Sequence, residues 1–305
     1  MKQTIKFTVA IGVIFALIFS AGARTQTQNR KLKIYISVDM EGVAGVVTQD
    51  QLTPEGFEYN RFREFMTQET NAAIKAAQNA GATEIVVSDS HGNGENLLIE
   101  ELPADVTLVR SWPRPLMMMQ GIDETFDGAI FIGYHASTNN TEGVRAHTIS
   151  SAHLTDIKLN GTSMPEAGIN AAIAGDFNVP IIMISGDDAI AKEATALLGN
   201  IEAATVKWNY GFHSARSLTP KASCDIIAEK VRAAMARIKE FKPYKVSHPV
   251  QLDVTFKNYR PAELLSYLSI VKRIDSHSIR FVGKDMTEVS KFLEFINSYD
   301  QNLTP

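Results

Sequence analysis

Short strand-like runs that end in acidic or imidazole side chains recur along this chain, and that recurrence narrows the folds open to it. Residues Lys33 to Val38 run into Asp39 and Glu41, Glu84 to Ser88 into Asp89 and His91, and Gly128 to Gly133 into His135. Between the first two runs, Phe62, Phe65, Met66, Ala73, Ala76 and Ala77 recur at helical spacing, with Gly81 placed to end the helix. Such alternation predicts an α/β fold, a mostly parallel sheet flanked by helices. Ligands collect beyond the carboxyl ends of the strands in an open sheet of this kind. Three strands that finish in Asp, Glu or His would therefore pool those side chains at one edge. Carboxylates and imidazoles without thiolates suit zinc or another divalent first-row ion.

Further along, a strand is expected near residues 106–109, before the methionine-rich segment Leu116 to Met119, which reads as core or interface filling. The strand ending at His135 opens into a polar loop, residues 136–146, followed by His147 and a hairpin turning at Asn160-Gly161. Pro165 starts a helix to about Ala174. Pro180 to Ile184 forms a strand, and an Asp of Gly186-Asp187-Asp188 caps a helix continuing to Leu198. Thr219-Pro220 starts a long helix. A shift of composition from Pro243 to Pro249 suggests a boundary, giving an α/β catalytic domain over 31–245 and a small α+β domain over 246–305. The latter is expected to hold strands at 251–256 and 278–282 and helices from Pro261 and Met286.

The first residues read as a leader. Lys2 and Lys6 flank the start of the apolar stretch Phe7 to Phe19, which falls short of the ~20 residues of a spanning helix, and Ala21-Gly22-Ala23 has the small-residue pattern of a cleavage site. A signal peptide over 1–23, cleavage after Ala23, a tether over 24–30 and an exported product, periplasmic or secreted, are expected, with no stable membrane span after cleavage. The formal net charge of −4 offers no broad basic surface to nucleic acid. A single cysteine, Cys224, precludes an intramolecular disulfide; its place beside Ile227, Val231, Met235 and Ile238 on a helical pattern makes it a core thiol.

Asp39 and Glu41 share one side of an extended chain, so both carboxylates can face one site. His91 precedes Gly92-Asn93-Gly94, which permits close backbone approach. Each of these, and His135, has an ordinary reading as a turn, cap or satisfied polar residue; their agreement at one edge favours shared metal binding. Asp89 either orients His91 or caps the following turn. Glu166 stands in the first turn of a helix, where an acidic residue is favoured electrostatically, so the residues alone do not single it out. His147 is open to three readings: ligand, general base or surface residue.

The strings Ser37-Val38-Asp39-Met40-Glu41-Gly42, Asp89-Ser90-His91 and Gly133-Tyr134-His135-Ala136 resemble those of the zinc-dependent D-aminopeptidases associated with dipeptide transport. His147 followed by a hydroxyl residue, Glu166-Ala167-Gly168-Ile169-Asn170-Ala171 and Gly186-Asp187-Asp188 extend the likeness over nearly the whole chain beyond Leu32. The resemblance implies a two-zinc site with Asp39, Glu41, His91, His135 and Glu166 as ligands, Asp39 bridging. It implies His147 as the catalytic histidine, short peptides with N-terminal D-residues as substrates, and a ring-shaped homo-oligomer, a decamer. The chain departs from the pattern in a His135–His147 segment one residue longer, in Pro165 and Ala167 around Glu166, and in its leader. Two other functions stay open on the same residues: a periplasmic metal- or peptide-binding protein without turnover, and a metallo-amidase or esterase.

Overall fold

A computed structural model describes residues 31–299; the expected leader and tether, residues 1–30, lie outside the described residues. The chain runs β1 (Leu32–Val38), α1 (Tyr59–Asn79), β2 (Ala82–Asp89), β3 (Val106–Val109), β4 (Gly128–Tyr134), β5 (Leu154–Leu159), β6 (Thr162–Ser163) and α2 (Glu166–Asp176). It continues through β7 (Ile181–Asp187), α3 (Asp188–Leu198), β8 (Glu202–Gly211), β9 (Ser214–Ser217) and α4 (Pro220–Ala236). Last come β10 (Val250–Phe256), α5 (Tyr259–Leu265), β11 (Val271–Arg273), β12 (Ser278–Gly283) and α6 (Met286–Ser298).

Seven strands form the main sheet in the order β3-β2-β1-β4-β7-β8-β9. All neighbours are parallel except β9, which returns antiparallel along β8. Every residue of β4 and β7 is buried, as expected of central parallel strands covered on both faces. From β1 the chain first builds toward β3, then crosses to β4 on the other side. The order therefore reverses between β1 and β4, where α/β sheets open a ligand crevice.

Local signals explain the helices. Asp187 caps α3 by accepting the Ile190 N–H at 2.9 Å, and Asp285 caps α6 by accepting that of Glu288 at 2.9 Å. On α1, Tyr59, Phe62, Met66, Ala73 and Ala77 form the buried stripe. On α4, Ile227, Val231 and Met235 point inward while Cys224 is half-buried, its thiol pushed up to about 11 by burial. Among the described residues no helix is long and apolar enough to cross a membrane.

The second sheet, antiparallel, has the order β11-β12-β10-β5-β6. The expected division at residues 245–246 does not follow this sheet, because β5 and β6 from the earlier segment pair with β10. Leu252 lies opposite Leu159 across more than ninety positions, a pairing that local periodicity does not encode. Strands β8, β9 and β11 also escaped the periodicity reading; Lys207, fully buried within β8, breaks its alternation.

The carboxyl ends of β1 and β4 are joined backbone to backbone. The Gly42 N–H donates to the Gly133 carbonyl at 2.6 Å, and Asp39 N–H to that of Ile132 at 2.8 Å. Gly133 has φ +71°, and a Cβ there would lie 2.2 Å from the Asp39 carbonyl oxygen. Gly133→Ala is therefore expected to destabilise the protein by about 2–4 kcal/mol, combining left-handed strain with overpacking. Denaturant unfolding would measure it; a change below about 1 kcal/mol would contradict the close approach.

Candidate metal centre

Five of the six residues singled out in the sequence come from three loops and one helix end around the β1–β4 crevice. Asp39 and Glu41 follow β1, His91 follows β2, His135 follows β4, and Glu166 opens α2. All five are buried, and with His147 they line one cavity of about 370 Å³.

The three imidazoles share one device. His91 Nε2 lies 2.8 Å from the Leu52 carbonyl, His135 Nδ1 3.1 Å from that of Ala136, and His147 Nδ1 2.8 Å from that of Arg145. A carbonyl only accepts, so each of these nitrogens carries a proton, and the opposite nitrogen faces inward, where it offers a lone pair whenever the ring is neutral. His91 Nδ1 then faces Glu41 Oε2 at 2.9 Å and Asp39 Oδ1 at 3.3 Å. His135 Nε2 lies 3.3 Å from Asp39 Oδ2 and 3.5 Å from Glu166 Oε1. His147 Nε2 is 3.8 Å from Glu166 Oε1, and its ring stacks on that of His135 with centroids 4.1 Å apart.

Asp39 Oδ2 and His135 Nε2 are buried and have no hydrogen-bond partner. Two acceptor atoms facing each other out of reach of water call for a cation between them. Ligating atoms of Asp39, Glu41 and His135 lie within 4.8 Å of one another, as do those of His135, His147 and Glu166. Carboxylate oxygens and imidazole nitrogens are a donor set that suits zinc, so the residues fit a metal of that kind. The second group also includes His147, one of the readings left open by its sequence position.

Electrostatics agree. Burial and then Glu41 push Asp39 upward. Burial opposes ionisation of Glu41, yet His91 holds it well below the usual carboxylate range; His135 does the same for Glu166 more modestly. Burial presses on both His91 and His135, but Glu41 for the first and Glu166 for the second hold them well above the ordinary imidazole value. Without metal, protons on the imidazoles balance the carboxylates.

Asp89 takes the alternative that does not touch His91. Its carboxylate accepts the N–H of Asn96 at 2.6 Å and of Leu97 at 2.7 Å, fixing the turn after β2. Further supports had no sequence signal. Arg145 adopts φ +56°, which aims its carbonyl at His147, and is held by its N–H to the Phe212 carbonyl and by Nη2 to Gln49. Lys207 Nζ donates to the carbonyls of Glu41, of Val43 at 3.2 Å and of Val46 at 2.7 Å. The buried lysine thus grips the loop that carries Glu41.

A family model described as D-aminopeptidase matches residues 32–295. The chain belongs to the D-aminopeptidase family. Within it, a Bacillus subtilis (strain 168) protein described as D-aminopeptidase is 34% identical over 258 residues, covering 84% of this chain and 93% of the relative. A solved family structure, the "Zn-dependent D-aminopeptidase DppA from Bacillus subtilis, a self-compartmentalizing protease", superposes with a TM-score of 0.85 at 32% identity. That superposition covers 90% of this chain and 99% of the solved one. The family fold accounts for the parallel sheet and the crevice at its switch point.

Proposed function

We propose that this chain removes N-terminal D-residues from short peptides, with Asp39, Glu41, His91, His135 and Glu166 holding two zinc ions and His147 transferring the proton. The observation that carries the reading is the buried, unbonded pair Asp39 Oδ2 and His135 Nε2, 3.3 Å apart, inside a ring of carboxylates and imidazoles. Family membership and the zinc-dependent relative support the activity and the metal. Support for two ions comes from Asp39, which turns Oδ1 toward His91 and Oδ2 toward His135, with Glu41 beside the first imidazole and Glu166 beside the second. A carboxylate between two donor sets is suited to bridging.

The chemistry that zinc supplies when bound is Lewis acidity toward the scissile carbonyl and toward a water. His147 donates Nδ1–H to the Arg145 carbonyl, so its Nε2 lone pair takes the proton of the attacking water. The same nitrogen returns that proton to the leaving amine. The test is metal content per chain together with hydrolysis of D-alanyl and L-alanyl dipeptides. About two zinc ions and preference for the D-series are expected; a preference for L-dipeptides would remove the stereochemical part, and a protein that binds no metal would remove the whole reading.

Proton displacement gives a pH signature. The raised imidazole values stabilise the metal-free protein fully below the ordinary value of 6.5, and that contribution fades as pH rises through the raised values. Zinc must displace those protons, so its binding tightens with rising pH. The gain in melting temperature on adding zinc is expected to be larger at pH 8 than at pH 6. Equal gains would argue against protonated imidazoles in the metal-free site.

Self-compartmentalisation of the solved relative supports a homo-oligomer, with a decameric ring as the form implied by the family resemblance; light scattering would read its mass. Lys2, Lys6, the stretch Phe7 to Phe19 and Ala21-Gly22-Ala23 support export. N-terminal sequencing of the mature protein is expected to begin at Arg24, and an intact Met1 in the cytoplasmic fraction would refute it.

A further inference from the structure

The segment set apart in the sequence as an appendage reaches the metal cavity through its last helix. Glu294, Asn297 and Ser298 of α6 line the cavity together with the carboxylates Asp39, Glu41 and Glu166. Among the described residues, Glu294 is the one carboxylate of that lining outside the proposed ligand set. The residue is only 7% exposed. Its Oε1 accepts the Ser298 hydroxyl at 2.7 Å, one helical turn on, and Oε2 has no hydrogen-bond partner among the described residues.

Arg114 feels the charge of Glu294 but is engaged elsewhere: Nη1 donates to Ser88 Oγ at 2.8 Å and Nη2 to the Asp89 carbonyl at 2.5 Å. The unspent oxygen belongs to a carboxylate that lines the cavity, where a cationic donor entering from solvent can meet it. Metal ions would neutralise Asp39, Glu41 and Glu166, leaving Glu294 as the uncompensated negative charge in the cavity. The cation that an aminopeptidase must recognise, and that an endopeptidase need not, is the α-ammonium of its substrate.

We propose that Glu294 is the receptor for the N-terminal ammonium of the peptide, with Ser298 holding its carboxylate in place. The inference rests on the aminopeptidase reading above and adds a substrate-binding residue to it. An N⁺–H···O⁻ hydrogen bond at Oε2 anchors the first residue, and the requirement for a free amine follows from that contact.

Glu294→Gln keeps the shape of the side chain and removes its charge. The pair of ligands is D-alanyl-D-alanine and propionyl-D-alanine, the second lacking the ammonium. The variant is expected to raise KM for D-alanyl-D-alanine by about 10- to 100-fold, with kcat within about threefold of wild type and metal content unchanged. Ser298→Ala, which keeps the carboxylate and frees it to move, is expected to raise KM by about threefold. Calorimetric binding of both ligands to the metal-loaded protein carrying His147→Ala, with and without Glu294→Gln, supplies a readout that needs no turnover. There, Glu294→Gln is expected to weaken D-alanyl-D-alanine and leave propionyl-D-alanine unaltered. Equal weakening of both ligands, or of neither, would overturn the assignment. A wild-type protein that hydrolyses no dipeptide would defeat the enzymatic reading instead, and the calorimetric comparison would still decide for or against Glu294.

Discussion

His147→Ala is expected to lower kcat by about 10²- to 10⁴-fold while the protein keeps its full complement of metal. The ring is the most solvent-accessible of the three imidazoles, with its side chain 14% exposed against 9% for His91 and 1% for His135. Its Nε2 stands 3.8 Å from Glu166, beyond the 2.9 to 3.5 Å at which His91 and His135 meet their carboxylates. A group that must collect and release a proton each cycle needs such access, whereas a ligand needs enclosure. Steady-state kinetics with metal analysis on the same samples separates the possibilities. Loss of one metal ion from the variant would make His147 a ligand, consistent with its grouping beside His135 and Glu166, and would end its assignment as proton carrier. A variant with unaltered kcat would end both.

The second large effect is expected away from the cavity. Lys207→Met should destabilise the protein by about 3–5 kcal/mol and loosen metal binding. The ammonium is fully buried, and burial lowers it to about 8. It serves the carbonyls of Glu41, Val43 and Val46, and methionine fills much the same space while donating to none of them. The carbonyls of Glu41 and Val46 then lose this donor in a place water does not reach, and that of Val43 keeps only the Val46 N–H at 3.2 Å. The charges of Asp187 and Glu69 lose a nearby cation as well; both are pushed up by burial, Glu69 to about 7. Chemical denaturation and zinc titration would measure the two consequences. Stability within about 1 kcal/mol of wild type, with metal affinity intact, would show that the lysine does not hold the loop.

Much of the main sheet was legible because its central strands are buried on both faces. Residues 34–36, 85–87 and 129–132 are apolar without interruption, and each run is followed within a few positions by a ligand-capable side chain. The edge strands carried less signal: β8 is broken by a lysine whose burial depends on carbonyls more than 160 positions away. β11 spans only Val271–Arg273, too short for any period to emerge. Within the site, Asp39, Glu41, His91 and His135 stood out by position at strand ends, whereas Glu166 looked like any acidic residue in a first helical turn. Only its approach to His135, with the Ile149 N–H at 2.7 Å, distinguishes it. Glu294 was equally hidden, since a glutamate on an amphipathic helix is the commonest of solvated residues; the fold that turns α6 toward the cavity is set by sheet pairing across the chain.

The tethering of all three histidines to main-chain carbonyls has a consequence for how this centre can vary. Carbonyls are present whatever side chain a position bears, so substitutions at residues 52, 136 and 145 leave those acceptors in place as long as the local turn persists. Selection could therefore redesign the neighbourhood of the metals, altering charge, bulk and substrate preference, without changing which nitrogen of each ring looks inward. What such change cannot spare is the spacing between a ring and its acceptor, one residue for His135 and two for His147, so the longer segment between these histidines is tolerated while that spacing holds. Local spacing, more than residue identity, is what lineages descended from this scaffold would have to conserve around these rings.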